Sequence, residues 1–137
     1  MGVISVNLKS IQATKNENLS GGIEVNNNVT PIDVRELDMP GIGKKGIVID
    51  FQYISKYSVN GEKVAEIKIL GEVYYIGSDM EEILKKWKKE KEMPEDPYIV
   101  IINTIFRRCA VKALQLAEDI QLPPPIGLPF AQKSKQE

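Results

Sequence analysis

The stretch Ile47-Val48-Ile49-Asp50-Phe51-Gln52-Tyr53 sets Ile47, Ile49, Phe51 and Tyr53 on one side and Asp50 and Gln52 on the other, before reversing at Asn60-Gly61. A period of two ending in Asn-Gly is a β-hairpin signal, because both turn residues tolerate the positive φ that matches strand twist. The returning run, from about Lys63 to Ile76, places Ala65, Ile67, Ile69, Val73 and Tyr75 on one face. Gly71 falls on that same face, a gap through which another backbone can approach. After Gly77 the period becomes helical, so sheet and helix segregate along the chain and the class is α+β.

Working outward toward the N-terminus, Ile4, Val6 and Leu8 alternate with Ser5, Asn7 and Lys9, and Ile11 and Ala13 continue out of phase. A bulge near Lys9-Ser10 is required, making one long bent strand. A second extended run covers Ile23 to Leu37, with Val25 and Val29 in one phase and Ile32 and Val34 in the other around Pro31. Proline there predicts an edge strand or another bulge. The link from Asp38 to Gly46, rich in glycine and proline, is read as a flexible connection. The expected architecture is a four-stranded antiparallel meander.

Toward the C-terminus, Ser78 with Glu81 or Asp79 with Glu82 forms a capping box, and Met80, Ile83, Leu84 and Trp87 make one helical stripe. Lysines crowd the last turn of this short helix, where its dipole favours them. Pro94 and Pro97 mark the break. With Asp96 as N-cap and Pro97 first inside, a long helix is predicted to about Ile120, roughly 36 Å. Ile102, Phe106, Cys109, Ala113, Leu116 and Ile120 form a seam at steps of three and four, while Ile101, Ile105 and Leu114 widen it. One small sheet need not cover so much apolar surface, so the seam is expected to bury against the sheet and a second subunit; a single wide monomer core is the alternative. Leu122 to Phe130 is proline-rich and expected to be extended, with Leu122, Ile126, Leu128 and Phe130 available for docking. Residues 1–130 are taken as one domain and 131–137 as a disordered tail.

The chain has 137 residues, 18 basic and 19 acidic, and a net charge of -1. That balance provides no field for drawing the molecule onto nucleic acid or anionic lipid. Histidine is absent, which excludes imidazole metal sites, histidine triads and histidine acid/base catalysis. The lone Cys109 permits no internal disulfide and fits a reducing compartment, so a cytoplasmic, unprocessed protein is expected. No window approaches a membrane span.

No motif in the chain carries recognisable catalysis, and neither metal nor cofactor is expected. Gly41-Ile42-Gly43-Lys44-Lys45-Gly46 lacks the hydroxyl residue of a phosphate loop and precedes a strand rather than a helix. Glu66 and Glu72 share a strand face but lie about 20 Å apart, too far for a catalytic pair, and Lys68 between them suggests a solvated face. Cys109, on the apolar seam, reads as a buried small side chain rather than a nucleophile. The cluster Lys85, Lys86, Trp87, Lys88, Lys89 and Lys91 supports an alternative, nucleic-acid binding by charge plus stacking; its plainer reading is a core tryptophan among solvated lysines.

Four antiparallel strands, a short helix and a long one, followed by Leu122-Pro123-Pro124-Pro125-Ile126-Gly127-Leu128-Pro129, resemble the SecB family of export chaperones and SecB-like proteins. The resemblance spans most of the chain, including Asn103-Thr104-Ile105-Phe106-Arg107-Arg108-Cys109-Ala110. It implies a homodimer or homotetramer that holds unfolded or extended polypeptide in apolar grooves, without ATP or enzymatic chemistry. Candidate groove contacts are Phe51, Tyr53, Tyr74 and Tyr75 on the strands, Ile42 in the connection and Phe130 in the tail; each also fits an ordinary core or surface position. The tail from Gln132 to Glu137 shows no match to the SecB segment that engages the export motor, and Lys68 interrupts the acidic sheet face.

Overall fold

Strands β1 (Gly2–Lys15), β2 (Glu24–Asp38), β3 (Lys45–Val59) and β4 (Glu62–Ile76) precede helices α1 (Met80–Glu90) and α2 (Glu95–Asp119). The computed structural model describes residues 2–16, 21–38 and 45–126. Ile42, Phe130 and the segment 131–137 lie outside the described residues.

All strand pairs are antiparallel, and the sheet order is β1-β4-β3-β2. The expected meander therefore holds for β2, β3 and β4, whereas β1 pairs with β4 on the far edge. Asn60 and Gly61, with φ of 53° and 82°, make the tight turn between β3 and β4. Asn16, at the end of β1, and Gly21, ahead of β2, both lie by this turn: the Asn16 amide donates to the Val64 carbonyl at 2.9 Å, and a Cβ on Gly21 would lie 3.3 Å from Val59.

Both edge strands carry a register shift in the same cross-strand row. Lys9 is the extra residue between Leu8 and Ser10, Ile32 the extra residue between Pro31 and Asp33. The row joining them runs Leu8, Gly71, Phe51, Pro31. A Cβ on Gly71 would stand 2.6 Å from the Asn7 carbonyl oxygen and 2.8 Å from Phe51 Cζ, so the close approach demands glycine there. Bulges bend and twist the strand that carries them, and two opposite ones with a glycine between them crease the sheet along one line.

One face of the sheet is sealed by the helices. Ile47, Ile49, Phe51, Tyr53 and Tyr57 of β3 and Ile67, Ile69 and Val73 of β4 have no exposed surface, and Ile83 and Trp87 of α1 join this core. The sheet-facing row of α2 is Pro97, Ile101, Ile105, Cys109, Ala113 and Ala117. Each fully buried isoleucine contributes about 1.5–3 kcal/mol, and the alanines and cysteine let the helix sit close. The predicted seam is thereby divided: Cys109 and Ala113 lie in the buried row, while Ile102, Phe106, Leu116 and Ile120 are half-buried on its flank.

Both helices end in left-handed residues, Lys91 at φ 58° and Gln121 at φ 57°. At the end of α2 the Leu122 amide donates to the Ala117 carbonyl at 2.7 Å and the Gln121 amide to the Glu118 carbonyl at 3.2 Å, a Schellman closure built without glycine. The capping boxes expected for α1 are not formed. Asp79 is the N-cap but makes no side-chain cap bond; its two carboxylate oxygens accept from the Tyr75 hydroxyl at 2.9 Å instead. The long helix begins slightly earlier than expected, with Pro94 rather than Asp96 at its N-cap.

Candidate functional site

Inward positions of an alternating strand are normally apolar, and this sheet breaks that rule in one patch. Asn27 of β2 and Ser55 of β3 are cross-strand partners on the helix-covered face, between Tyr53 and Tyr57. Ser55 Oγ donates to Asn27 Oδ1 at 2.6 Å, and the Tyr53 hydroxyl lies 2.8 Å from Ser55 Oγ while donating to Asn27 Oδ1 at 3.3 Å. With its oxygen engaged by two hydroxyls, Asn27 turns its Nδ2 outward and donates to the Pro125 carbonyl at 2.8 Å. The Tyr57 hydroxyl donates to the Pro123 carbonyl at 2.6 Å. Proline supplies no amide hydrogen, so the prolines of this segment can hydrogen-bond only through their carbonyls, and these two side chains engage two of them. Burial pushes the Tyr57 phenol up to about 12, with the neighbouring Tyr53 adding to the shift, and keeps it a donor.

A second feature lies where the outer strand β2 meets the connection between the helices. Thr30, Pro31, Lys91, Glu92, Met93 and Tyr98 line a half-open cavity of about 390 Å³. The left-handed turn at Lys91 shapes one wall and places its ammonium 5.7 Å from the centre of the Trp87 ring.

On the opposite face, Glu72 is 7% exposed and draws groups from both edges. It accepts from Asn7 at 3.4 Å, Tyr74 at 3.0 Å and Arg35 at 3.3 Å, with the Lys9 ammonium at 3.9 Å. Arg35 also holds Asp50 at 3.1 Å. Burial alone would raise the Glu72 carboxyl; the hydrogen bonds from Tyr74 and Asn7 and the charges of Lys9 and Arg35 outweigh it and hold the group below the usual range. This corrects the expectation of a solvated acidic face: only Glu66 fits it, half-buried and paired with Lys63 at 3.2 Å.

The aromatic residues singled out from sequence do not converge on one groove. Phe51 and Tyr53 are fully buried between sheet and helix, and the Tyr53 ring meets Phe106 edge-on at 6.0 Å. Tyr75 is buried beside the start of α1, whereas Tyr74 is half-buried on the opposite face against Glu72. Burial pushes the Cys109 thiol up to about 12, which removes its reactivity at neutral pH. Trp87 is buried with its lysines outside it, so the basic cluster presents no tryptophan face for a base to stack on. Asn27, Ser55 and Tyr57 were missed; the available signal was a polar side chain at inward phase in two adjacent strands.

No helix among the described residues is long and apolar enough to cross a membrane. No family model matches the sequence, and no curated protein matches it. Among solved structures, the Mycobacterium tuberculosis SecB-like chaperone Rv1957, in complex with a ChAD peptide from the Rv1956 HigA1 antitoxin, is similar over 97% of this chain and 91% of its own, with TM-score 0.56 and 14% sequence identity. The order of four antiparallel strands and two helices, together with that likeness, makes the fold of this chain SecB-like.

Proposed function

We propose that this chain is a chaperone-like polypeptide-binding module, a cytoplasmic, non-enzymatic homo-oligomer that holds unfolded or extended segments without ATP. The observation that carries this reading is the half-open groove at Pro31, Met93 and Tyr98 beside an outer strand of a SecB-like sheet. The cavity beside this outer strand offers an extended chain apolar contact without demanding a particular sequence. The peptide held by the SecB-like neighbour supports the same role. Capture of exposed segments lowers the free concentration of unfolded client and so slows its aggregation.

Assembly into a dimer or tetramer is part of the proposal. Ile4 and Ile11 on the opposite edge strand are 48% and 44% exposed. Together with the half-buried Ile102, Phe106, Leu116 and Ile120 they offer apolar surface to a second copy. The test is light scattering from a heat-unfolded or reduced client, with and without the protein and without ATP, alongside oligomer mass. Suppression at near-stoichiometric ratio is expected from a dimer or tetramer. Absence of suppression across several unrelated clients would overturn the chaperone reading.

A further inference from the structure

The segment after α2 is held by the sheet in the manner a foreign chain would be. Leu122 and Pro125 are buried, and the carbonyls of Pro123 and Pro125 accept from Tyr57 and Asn27 at 2.6 and 2.8 Å. Both donors are side chains, and the two carbonyls are two residues apart, with the irregular stretch from Leu122 to Pro124 turning at a bend at Pro125 and Ile126 rather than staying extended throughout. Beside the segment, where it meets α2, a half-open surface cavity of about 350 Å³ is lined by Leu114, Gln115, Ala117, Glu118, Leu122 and Pro124, so one flank of the segment is open to solvent.

We propose that residues 122–126 are a resident occupant of a second polypeptide groove, and that an extended, proline-containing segment of another chain takes their place on Asn27 and Tyr57. This rests on the polypeptide-binding reading above and adds its regulation: the strap must leave before this groove accepts a client. Departure strips acceptors from the buried Tyr57 and the half-buried Asn27, which an incoming chain with carbonyls two residues apart restores. Ser55 and Tyr53 act as positioning residues, because they hold the Asn27 oxygen and thereby aim its amide. The covalent tether keeps the strap at an effective concentration near millimolar, so a free peptide competes poorly against it.

The experiment measures fluorescence anisotropy of a fluorescein-labelled synthetic peptide with the sequence of residues 120–130, titrated with full-length protein. Leu122→Asp unseats the strap and leaves the donors in place, and the peptide is expected to bind it on the order of 10-fold more tightly than the unaltered chain. Because Leu122 also belongs to the core, a second variant replaces Pro123, Pro124 and Pro125 by glycine; it keeps Leu122 and the carbonyls while raising the entropy lost on docking. It should show the same gain. Adding Asn27→Ala and Tyr57→Phe to either variant should abolish the gain. Equal affinity for the unaltered chain and both strap variants would overturn the inference. Client suppression with no gain sinks the strap alone; a gain with no client suppression leaves the groove standing and sinks the chaperone reading.

Discussion

The two edges of the sheet face the same hazard, a row of unpaired backbone groups, and they meet it differently. β2 carries Pro31, which has no amide to offer, is met by α1, and has Asn27 tied to the strap. β1 has two register shifts but no proline, contacts α2 through its helix-covered face, and leaves Ile4 and Ile11 open, where β2 leaves the single Ile32 open beside its proline. An outer strand blunted by proline and covering segments resists pairing with a copy of itself, whereas an apolar one invites it. In the function proposed above, β1 would serve assembly and the cavity beside β2 client contact, on a sheet whose middle is common to both.

The severest way to break the contrast is to remove what the edges share. Gly71→Val places a branched side chain against the Asn7 carbonyl and Phe51; a loss of about 3 kcal/mol is expected, read as a lower urea midpoint, and an unchanged midpoint would count against the crease. Next, Ile11→Lys on β1 and Leu116→Glu on α2 should each lower oligomer mass while far-UV circular dichroism stays intact, an interface cost of about 2 kcal/mol apiece. Thr30→Lys on β2 should leave the mass alone and weaken client capture; a folded Leu116→Glu chain of unchanged mass would refute the α2 flank.

Titration sharpens the β2 side. A phenol raised in the folded state contributes stability below its unfolded value of 10, and that contribution disappears as pH rises through about 12 for Tyr57 and Tyr75. Alkaline unfolding across that window should therefore weaken by about 1–2 kcal/mol in Tyr57→Phe, measured against tyrosinate absorbance. Gln121→Gly relieves the left-handed residue before the strap and should stabilise the chain by about 1 kcal/mol in thermal melts. The smallest effect belongs to Glu72, which joins Asn7 and Lys9 of one edge to Arg35 of the other. Its lowered carboxyl supports the fold above the unfolded value of 4.5 and loses that role as pH falls below it, a pH dependence that Glu72→Gln should erase.

Local chemistry was readable from the sequence wherever one residue type admits one geometry. The phase change at Lys9-Ser10, the turn at Asn60-Gly61, the proline at 31 and the gap at Gly71 each predicted a feature that is present. Strand order was not, because alternation reports which face a residue takes and never which strand lies beside it. The α2 seam was ambiguous for a related reason: 101, 105 and 102, 106 are two adjacent apolar rows, and only the sheet decides which row it receives. The strap's proline-rich character was visible, but its receptor depends on two inward polar residues from different strands. Asn27 and Ser55 become a pair only after β2 and β3 are in register.

The pairing of β1 with β4 carries a cost in time. Every partner of β1 is encoded 50 to 74 residues downstream, from Ala65 opposite Lys15 to Ile76 opposite Gly2. At about 5–20 residues per second, a ribosome leaves the first strand without its mate for roughly 3–15 s, while β2, β3 and β4 can zip up as successive hairpins. The strand translated first is therefore the last to be sheltered, and during synthesis it needs custody of the kind proposed here for its own clients.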